Sequence, residues 1–217
     1  MRGVDLGTVK TAAGTVADLA VGDVLRMREN GGLAGWTVIA KGTHGADAND
    51  ALCLRVSLLA PCTYFFGSAE YANSTVDRWL SHGYLHALSD AARAALVPAA
   101  LPCWDEFNKQ SKTITRLCFL LSATELGFVD AERVAVEGTA IPYFAGNAQR
   151  AASYFGDPAP YGTRSPMKSS MGGSVHIISV GSTGEQLAHP VLLYTLPVRP
   201  AVIVSGAAAL GSNNEII

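Results

Sequence analysis

His82 and His86 are four residues apart in a segment predicted to be helical, a spacing that metal ligands use. Asp90 continues the same line, but on a helix it would be about 12 Å from His82 along the axis, too far for one ion to bind both. The two histidines share the polar flank of the segment with Asp77 and Arg78. We therefore interpret them as part of a solvated helix face and predict no metal site.

Motifs for covalent catalysis are incomplete. Ser165 and Lys168 fit S-x-x-K, but the K-T-G element is absent, and Pro166 disrupts the helical turn that the motif needs. The four cysteines have no C-x-x-C spacing, which argues against a zinc ribbon or a redox motif and favours buried thiols in a reducing cytoplasm. The sequence predicts no catalytic residue and no cofactor.

Four acidic residues are candidates for an enzyme that cleaves cell-wall polysaccharide. Such an enzyme places two carboxylates in one groove, about 5–9.5 Å apart. The candidates are Asp105, Glu106, Glu125 and Glu137, and no pair among them is favoured by its spacing along the chain. Polysaccharide hydrolysis therefore remains an alternative without an assigned pair.

Charged residues inside apolar or small-residue motifs point to a structural role. Glu125, Arg164 and Arg199 are of this kind, and Ser122 forms a capping box with Glu125. An isolated buried ion costs several kcal/mol, so such charges are expected to be paired or hydrogen-bonded. We predict that these four residues tie loops to the core, and that replacing Arg164 or Arg199 with Leu reduces the folding yield.

The composition limits the classes of partner. The 217 residues carry a formal net charge of −2, which argues against a nucleic-acid-binding protein with a basic face. Only 16% of the residues are charged, against about 25% in typical soluble domains. A surface so poor in charge predicts burial against other subunits, hence a homo-oligomer. No apolar run approaches the ~18 residues of a membrane span, and no secretory signal is recognised.

The patterning predicts short strands around two or three helices. The pattern ADLAVGDVLRM indicates a strand over 17–27, and the turn residues that follow it place a hairpin partner at 36–42. Period-two alternation indicates a strand in 51–61, and further strands are expected in 114–122, 175–181 and 198–204. Caps at Ser74, Ser89 and Ser122 each predict a helix, while loops dominate 138–174. We predict an extended arm over 1–16, one α+β domain over 17–217 with mainly antiparallel strands, and a loosely ordered tail.

Five segments in order carry a resemblance to a known family. They are NSTVDRWL (73–80), TRLCFLLSATELGF (115–128), EGTAIPYFAGNAQRAA (137–152), YGTRSP (161–166) and VRPAVIV (198–204). Together they resemble a domain family of undefined activity encoded in phage and prophage genes of gut Firmicutes, often near tail and baseplate genes. The family's aromatic residue before Thr-Arg-Ser-Pro is Gly162 here, which leaves Tyr161 as a substitute.

By looser analogy, these motifs resemble C-type-lectin-like folds. The resemblance implies such a fold, but not the activities known in that group. The chain has no cysteine after Cys118, as a formylglycine-type oxidase would need, and no Glu-Pro-Asn, Gln-Pro-Asp or Trp-Asn-Asp triplet for calcium-dependent sugar binding. Retroelement-driven diversification is also poorly supported, because residues 168–196 contain no asparagine.

The resemblance implies a non-enzymatic virion structural protein. It would be a tail or baseplate component or a receptor-facing module, assembled in the host cytoplasm, with other virion proteins and a host cell-surface receptor as partners. A capsid-decorating or head-associated protein is the alternative. The loops of 156–173 and 182–196 would make the contacts, and Tyr161, Gln186, His189 and Tyr194 are candidate contact residues, although a tyrosine there can equally belong to the core.

Overall fold

The chain forms a curled antiparallel β structure. The computed structural model describes residues 12–63, 70–105, 109–130, 133–168, 176–190 and 195–217. Strands make up 44% of it and helix 15%, with one helix of 13 residues. The predicted C-type-lectin-like α+β domain with two or three helices is therefore wrong, and the protein is mostly β.

In the described part of the chain, the strands in order are β1 (Gly14–Thr15), β2 (Val24–Glu29), β3 (Gly32–Lys41), β4 (Ala51–Arg55), β5 (Leu59–Thr63), β6 (Leu96–Val97), β7 (Ala99–Asp105), β8 (Gln110–Arg116), β9 (Cys118–Phe119), β10 (Ser153–Tyr154), β11 (Asp157–Pro158), β12 (Tyr161–Pro166), β13 (His176–Val180), β14 (Gln186–Pro190), β15 (Thr195–Val198), β16 (Ala201–Val204) and β17 (Ala209–Leu210). The α-helical segments are α1 (Thr75–Arg78), α2 (Asp90–Ala94) and α3 (Asn147–Arg150).

The largest sheet has six strands in the order β2-β3-β4-β16-β6, with β9 also pairing with β16. Its outer strand β2 begins later than the predicted strand over 17–27 and alternates in burial: Leu25 and Met27 are buried, while Arg26 and Arg28 are exposed. The inner strand β16 is buried along its whole length, as expected for a strand covered on both faces. All the pairings in this sheet are antiparallel.

A second sheet has the order β12-β13-β14, and two-stranded ribbons complete the architecture. Every residue of β12 is buried. The ribbons are β7-β8, β5-β15, β10-β11 and β1-β17. Strands β10, β11 and β12 lie within residues 138–174, where the sequence predicts mainly loops.

The central helix, residues 75–87, is the helix predicted from its cap at Ser74. It runs through α1, a π-helical stretch (Trp79–Gly83) and a 3₁₀ turn (Tyr84–Ala87). The Ser74 hydroxyl accepts a hydrogen bond from the Asp77 amide at 3.1 Å, which satisfies one of the free donors at the helix start. His82 and His86 are exposed, in agreement with a solvated face.

The other two predicted caps do not begin long helices. The amide of Ala92 donates to the Ser89 hydroxyl, and the helix that follows, α2, has only five residues. Ser122 and Glu125 form the reciprocal hydrogen bonds of a capping box, but the chain makes a single turn that ends at Gly127, whose φ is +79°. A cap signals where a turn begins and says nothing of its length, which is why the predicted helix count was too high.

The two ends of the described chain pair with each other. Gly14 and Thr15 pair with Leu210 and Ala209, so residues 12–16 of the predicted arm contact the body. The tail, predicted to be loosely ordered, is instead packed: Ile216 is buried, and its amide donates to the Arg26 carbonyl at 2.9 Å. Within the described ranges, no helix is long and apolar enough to cross a membrane.

Candidate functional site

A buried ion pair joins β12 to the turn that follows β9. Arg164 on β12 is 0% exposed, and one of its Nη atoms is 2.7 Å from Oε2 of Glu125. The same guanidinium group donates to the carbonyl of Leu120 at 2.8 Å. The Ser122 amide donates to Glu125 Oε2 at 2.9 Å, so the capping box also orients the carboxylate. Arg164 and Glu125 are therefore held from both sides of the core.

A second buried carboxylate lies in the same region. Glu137 is 0% exposed and accepts hydrogen bonds from the Trp104 amide, at 2.6 Å, and from the Ser165 hydroxyl. The Ser122 hydroxyl donates to the Glu137 carbonyl at 2.6 Å. Burial raises the pKa of the Glu137 carboxyl to about 7, and the positive charge of Arg164 limits the rise. The Glu137 side chain thus joins β7 to β12, and its backbone carbonyl binds the Ser122 turn.

His44 completes this buried polar network. Its Nε2 is 3.4 Å from Glu125 Oε1, and its ring meets the edge of Phe119 with 5.7 Å between centroids. Burial lowers the pKa of the imidazole, and the Glu125 carboxylate acts in the opposite direction. The network thus contains a histidine, two carboxylates, two serine hydroxyls and a guanidinium group, all bonded to one another or to the backbone.

Sequence reasoning found part of this network. It selected Ser122, Glu125 and Arg164 as structural residues, and the structure brings all three together. Glu137 was named only as an acidic candidate, and His44 was missed, because nothing in its local pattern shows that it meets a residue 81 positions along the chain. The available signal for Glu137 was the residue next to Arg164: Ser165 is a polar side chain that needs a partner when its strand is buried, and Glu137 is that partner.

The remaining acidic candidates lie elsewhere. Asp105 is buried at the end of β7. Glu106 lies outside the described residues. Groups of three or more side chains suited to holding a metal ion are absent from the described part of the chain.

Arg199 and Tyr161 belong to a separate buried cluster. The Tyr161 hydroxyl donates to the Arg150 carbonyl at 2.7 Å, and the Arg199 guanidinium group donates to the same carbonyl at 2.9 Å. Arg199 lies over the Tyr161 ring, 5.3 Å from its centroid. Burial raises the pKa of the Tyr161 phenol. With 3% of its surface exposed, Tyr161 is a core residue rather than the surface contact that was one of its two predicted roles.

Two of the other predicted contact residues, Gln186 and His189, lie on the outer strand of the second sheet. Gln186 and His189 are half-buried on β14. The Ser179 hydroxyl is 2.7 Å from Nδ1 of His189, and burial lowers the pKa of that imidazole. Tyr194 lies outside the described residues. The structure therefore separates Tyr161 from Gln186 and His189, which share a strand.

The most exposed aromatic side chain of the described residues is at the tip of the β10-β11 hairpin. Phe155 is 90% exposed and has a φ of +50°, and Gly156 beside it has a φ of +95°. These signs are those of a type I′ turn, where Asn, Asp or Gly is usual at the first position. The Phe155 ring contacts that of Tyr154, with 4.5 Å between centroids.

A groove separates this hairpin from the six-stranded sheet. Its volume is about 410 Å³, within the usual range for ligand sites. Val56, one of the groove residues, is exposed. The side chains of Val56 and Val24 both lie close to Gly35. The lining residues are Thr37, Val56, Tyr143, Ala148, Gln149, Ala151, Ala152, Ser153, Pro158, Ser182 and Arg199. We call Phe155 and this groove the hairpin surface.

Comparison with known proteins assigns the chain to a protein family. Residues 49–206 match the family described as Domain of unknown function (DUF6273), and the chain belongs to that family. No curated protein and no solved structure matches it. The matched region begins just before β4 and ends just after β16, so it contains the Glu125–Arg164 pair and the β10-β11 hairpin, whereas β1–β3 and β17 lie outside it.

Proposed function

We propose that the chain is a non-enzymatic binding component of a bacteriophage particle, at the tail or baseplate, and that its hairpin surface faces a receptor on the host cell. The place on a particle rests on the phage-family resemblance of the five sequence segments. The mode of action, contact without covalent chemistry, rests on the geometry of the hairpin surface and of the buried polar network.

Phe155 is the observation that carries the proposal. A bulky side chain at positive φ costs about 1–2 kcal/mol relative to the right-handed region, and an aromatic ring left in water forgoes the free energy of burial. Both costs occur at one residue, in a turn that Asn or Gly would form with less strain. A partner that buries the ring offsets both, because aromatic side chains supply much of the binding energy at interfaces.

The groove beside the hairpin supports the same conclusion. Val56, Ala152 and Pro158 offer apolar atoms, and Tyr143 and Gln149 offer polar ones, which together resemble the apolar centre and polar rim of a recognition site. The groove and the tip of the hairpin are continuous, since Ser153 and Pro158 belong to the hairpin strands. A partner that covers Phe155 would also reach the groove.

The placement of the acidic residues favours binding over hydrolysis. Polysaccharide cleavage needs two carboxylates that reach a substrate in one groove. Glu125 and Glu137 are the pair that the fold brings close, and they are 1% and 0% exposed. Their oxygen atoms accept hydrogen bonds from Arg164, Ser165 and the backbone, a role that positions loops.

Phage particles induced from the bacterial strain that encodes the chain can be used to test where on the particle the protein lies. We expect mass spectrometry to find the chain in purified virions, and immunogold electron microscopy to label the tail. Label on the head would instead support the capsid-decorating alternative and overturn the tail proposal. Virions that lack the chain would overturn both.

Adsorption of particles to host cells tests the hairpin surface. Phe155→Asn removes the ring and keeps a residue that tolerates the turn, so we expect adsorption to fall at least tenfold. Leu33→Asn, at another exposed apolar residue, is the matched control and should leave adsorption unchanged. Equal adsorption by both variants would contradict the assignment. Glycan or peptide turnover by the purified chain, lost in Glu137→Gln, would overturn the non-enzymatic function itself.

A further inference from the structure

Strand β14 is an outer strand of the three-stranded sheet. One hydrogen bond at its start shows which of its backbone groups face β13 and which face outward. The Gly181 amide donates to the Glu185 carbonyl at 2.8 Å, in register with the β13-β14 pairing. Hydrogen-bonded pairs alternate with non-bonded pairs in an antiparallel ladder. The backbone groups of Leu187 and His189 therefore face β13, whereas those of Gln186, Ala188 and Pro190 face outward.

This edge differs in its protection from two other outer strands, β2 and β8. The edge of β2 is covered by the tail, through the Arg26 and Ile216 backbone, and β8 carries Lys112 and Arg116. Charged residues on an edge strand discourage pairing with another chain. Strand β14 has the sequence QLAHP, without Lys, Arg, Asp or Glu, and in the described residues no further strand follows it in the sheet.

We propose that β14 pairs with β14 of a second copy of this chain, antiparallel and about a two-fold axis at Ala188. In this register, each Ala188 amide donates to the Ala188 carbonyl of the other copy. Each Gln186 amide donates to the opposite Pro190 carbonyl. The two copies then share four backbone hydrogen bonds and one continuous sheet of six strands.

The edge is self-complementary in its donors and its side chains. Pro190 has no amide hydrogen to donate. Because it lies at the end of the strand, the missing donor removes only the outermost hydrogen bond on each side. The register places Leu187 opposite His189 and sets no two like charges against each other. Leu187 is 37% exposed in the monomer, and the facing strand would cover it.

The size of the contact sets its strength. Five residues a side bury less than the roughly 1,200 Å² at the lower limit of stable interfaces, so we expect weak pairing in dilute solution. Neighbouring subunits in a particle have a high effective concentration, which favours such a pairing. The inference thus gives a defined contact to the homo-oligomer expected from the composition. It rests on the proposed function only for the high concentration of subunits in a particle, and it does not depend on the receptor.

Disulfide trapping tests the register. Paired residues in a hydrogen-bonded position have Cα atoms about 5.5 Å apart, which a disulfide can span. We expect Ala188→Cys to form covalent dimers under mild oxidation at least tenfold faster than Thr113→Cys, its control at an exposed position of β8. Equal rates for the two variants would overturn the proposal. The wild-type chain gives the background from its native cysteines.

Sedimentation at increasing concentration tests the hydrogen bonds. The Ala188 amide faces away from β13, so Ala188→Pro removes the central donor without breaking a bond inside the sheet. We expect self-association of the wild type and of Ala188→Gly, and none of Ala188→Pro, with unchanged circular dichroism. Dimers that survive the proline would overturn the proposal, as would a monomeric wild type together with an Ala188→Cys variant that cross-links no faster than its control. Particle labelling and adsorption remain separate readouts, so failure here is distinguishable from failure of the proposed function.

Discussion

Arg164 and Glu125 show why a buried charge needs its partner. In the core a carboxylate keeps its charge only if it is paired and hydrogen-bonded, because burial removes its hydration. Here the guanidinium group supplies a salt bridge and the Ser122 amide supplies a hydrogen bond. His44 adds a third contact at 3.4 Å. The stability of this region therefore depends on each member of the network.

Replacing Arg164 with Leu should lower the free energy of unfolding by about 3–5 kcal/mol, because Glu125 would be left as an unpaired buried charge. Urea unfolding measures the change. Arg93→Leu is the control, since its pair with Asp90 is largely exposed and should contribute less than about 1 kcal/mol. Arg199→Leu, which removes three hydrogen bonds, should also reduce the folding yield. Wild-type melting of the Arg164 and Arg199 variants would refute the structural role.

Glu137 should make stability depend on pH. Its pKa is about 7 in the folded chain and 4.5 when exposed, so the folded state holds the proton more tightly. Its stabilising effect is complete below pH 4.5 and is lost as the pH rises to 7, a change of up to about 3 kcal/mol. His44 has a lowered pKa and therefore acts in the opposite sense.

The difference between wild type and Glu137→Gln isolates this group, because His44 contributes to both. We expect the wild type to lose unfolding free energy relative to the glutamine variant between pH 4.5 and pH 7, in urea titrations at fixed ionic strength. Parallel pH curves for the two proteins would show that Glu137 is not protonated in the folded state.

At the scale of elements, short hairpins and turns determine the shape more than helices do. Caps at Ser89 and Ser122 each support only one or two turns, and the following residues return to strands or loops. The β10-β11 hairpin has a two-residue turn with an aromatic residue at its first position. The aromatic residue that is exposed for binding at position 155 therefore also destabilises the turn that presents it.

Phe155→Asn should stabilise the hairpin while it weakens adsorption. Asparagine tolerates positive φ, so the change should raise the free energy of unfolding by about 0.5–1 kcal/mol after the loss of the Tyr154 ring contact is included. Thermal unfolding measures it. Phe155→Leu, which loses the ring but keeps an unsuitable residue in the turn, should give no gain. A destabilised Phe155→Asn would show that the turn is not strained.

At the scale of the whole molecule, the chain ends close the structure. β1 pairs with β17, and the tail crosses the edge of β2 through Ile216 and through Glu215, which bonds to Arg28. An open edge strand invites pairing with other chains. The tail thus protects one sheet edge, and among the described residues no strand or tail segment covers the outer edge of β14 in the same way.

Ile216→Asp should destabilise the fold by about 3 kcal/mol and promote aggregation, because it places a charge in the apolar contact that holds the tail on β2. Ile217→Asp is the neighbouring control at a half-buried position and should change the stability by less than about 1 kcal/mol. Denaturant unfolding and light scattering give the two readouts. Equal effects at both positions would mean that the tail does not cover the edge.

Local sequence patterns were sufficient to predict part of this structure. The pattern ADLAVGDVLRM and the turn residues after it predicted β2, a hydroxyl cap predicted the central helix, and a charge in an apolar or small-residue motif singled out Glu125, Arg164 and Arg199. Each of these depends on neighbours within a few residues, so the linear chain contains the signal. The residues of the candidate contact strand, Gln186 and His189, were also selected from sequence, although their role stays a prediction.

Only the tertiary structure decided which distant residues meet. His44 joins Glu125 across 81 positions, the tail covers β2, and Tyr161 turns into the core beside Arg199. The helix count was overestimated for the same reason, since packing rather than the cap determines how far a helix continues. Phe155 stands out only because the fold leaves it in water. Side-chain exposure results from the arrangement of all elements together, and no local pattern contains it.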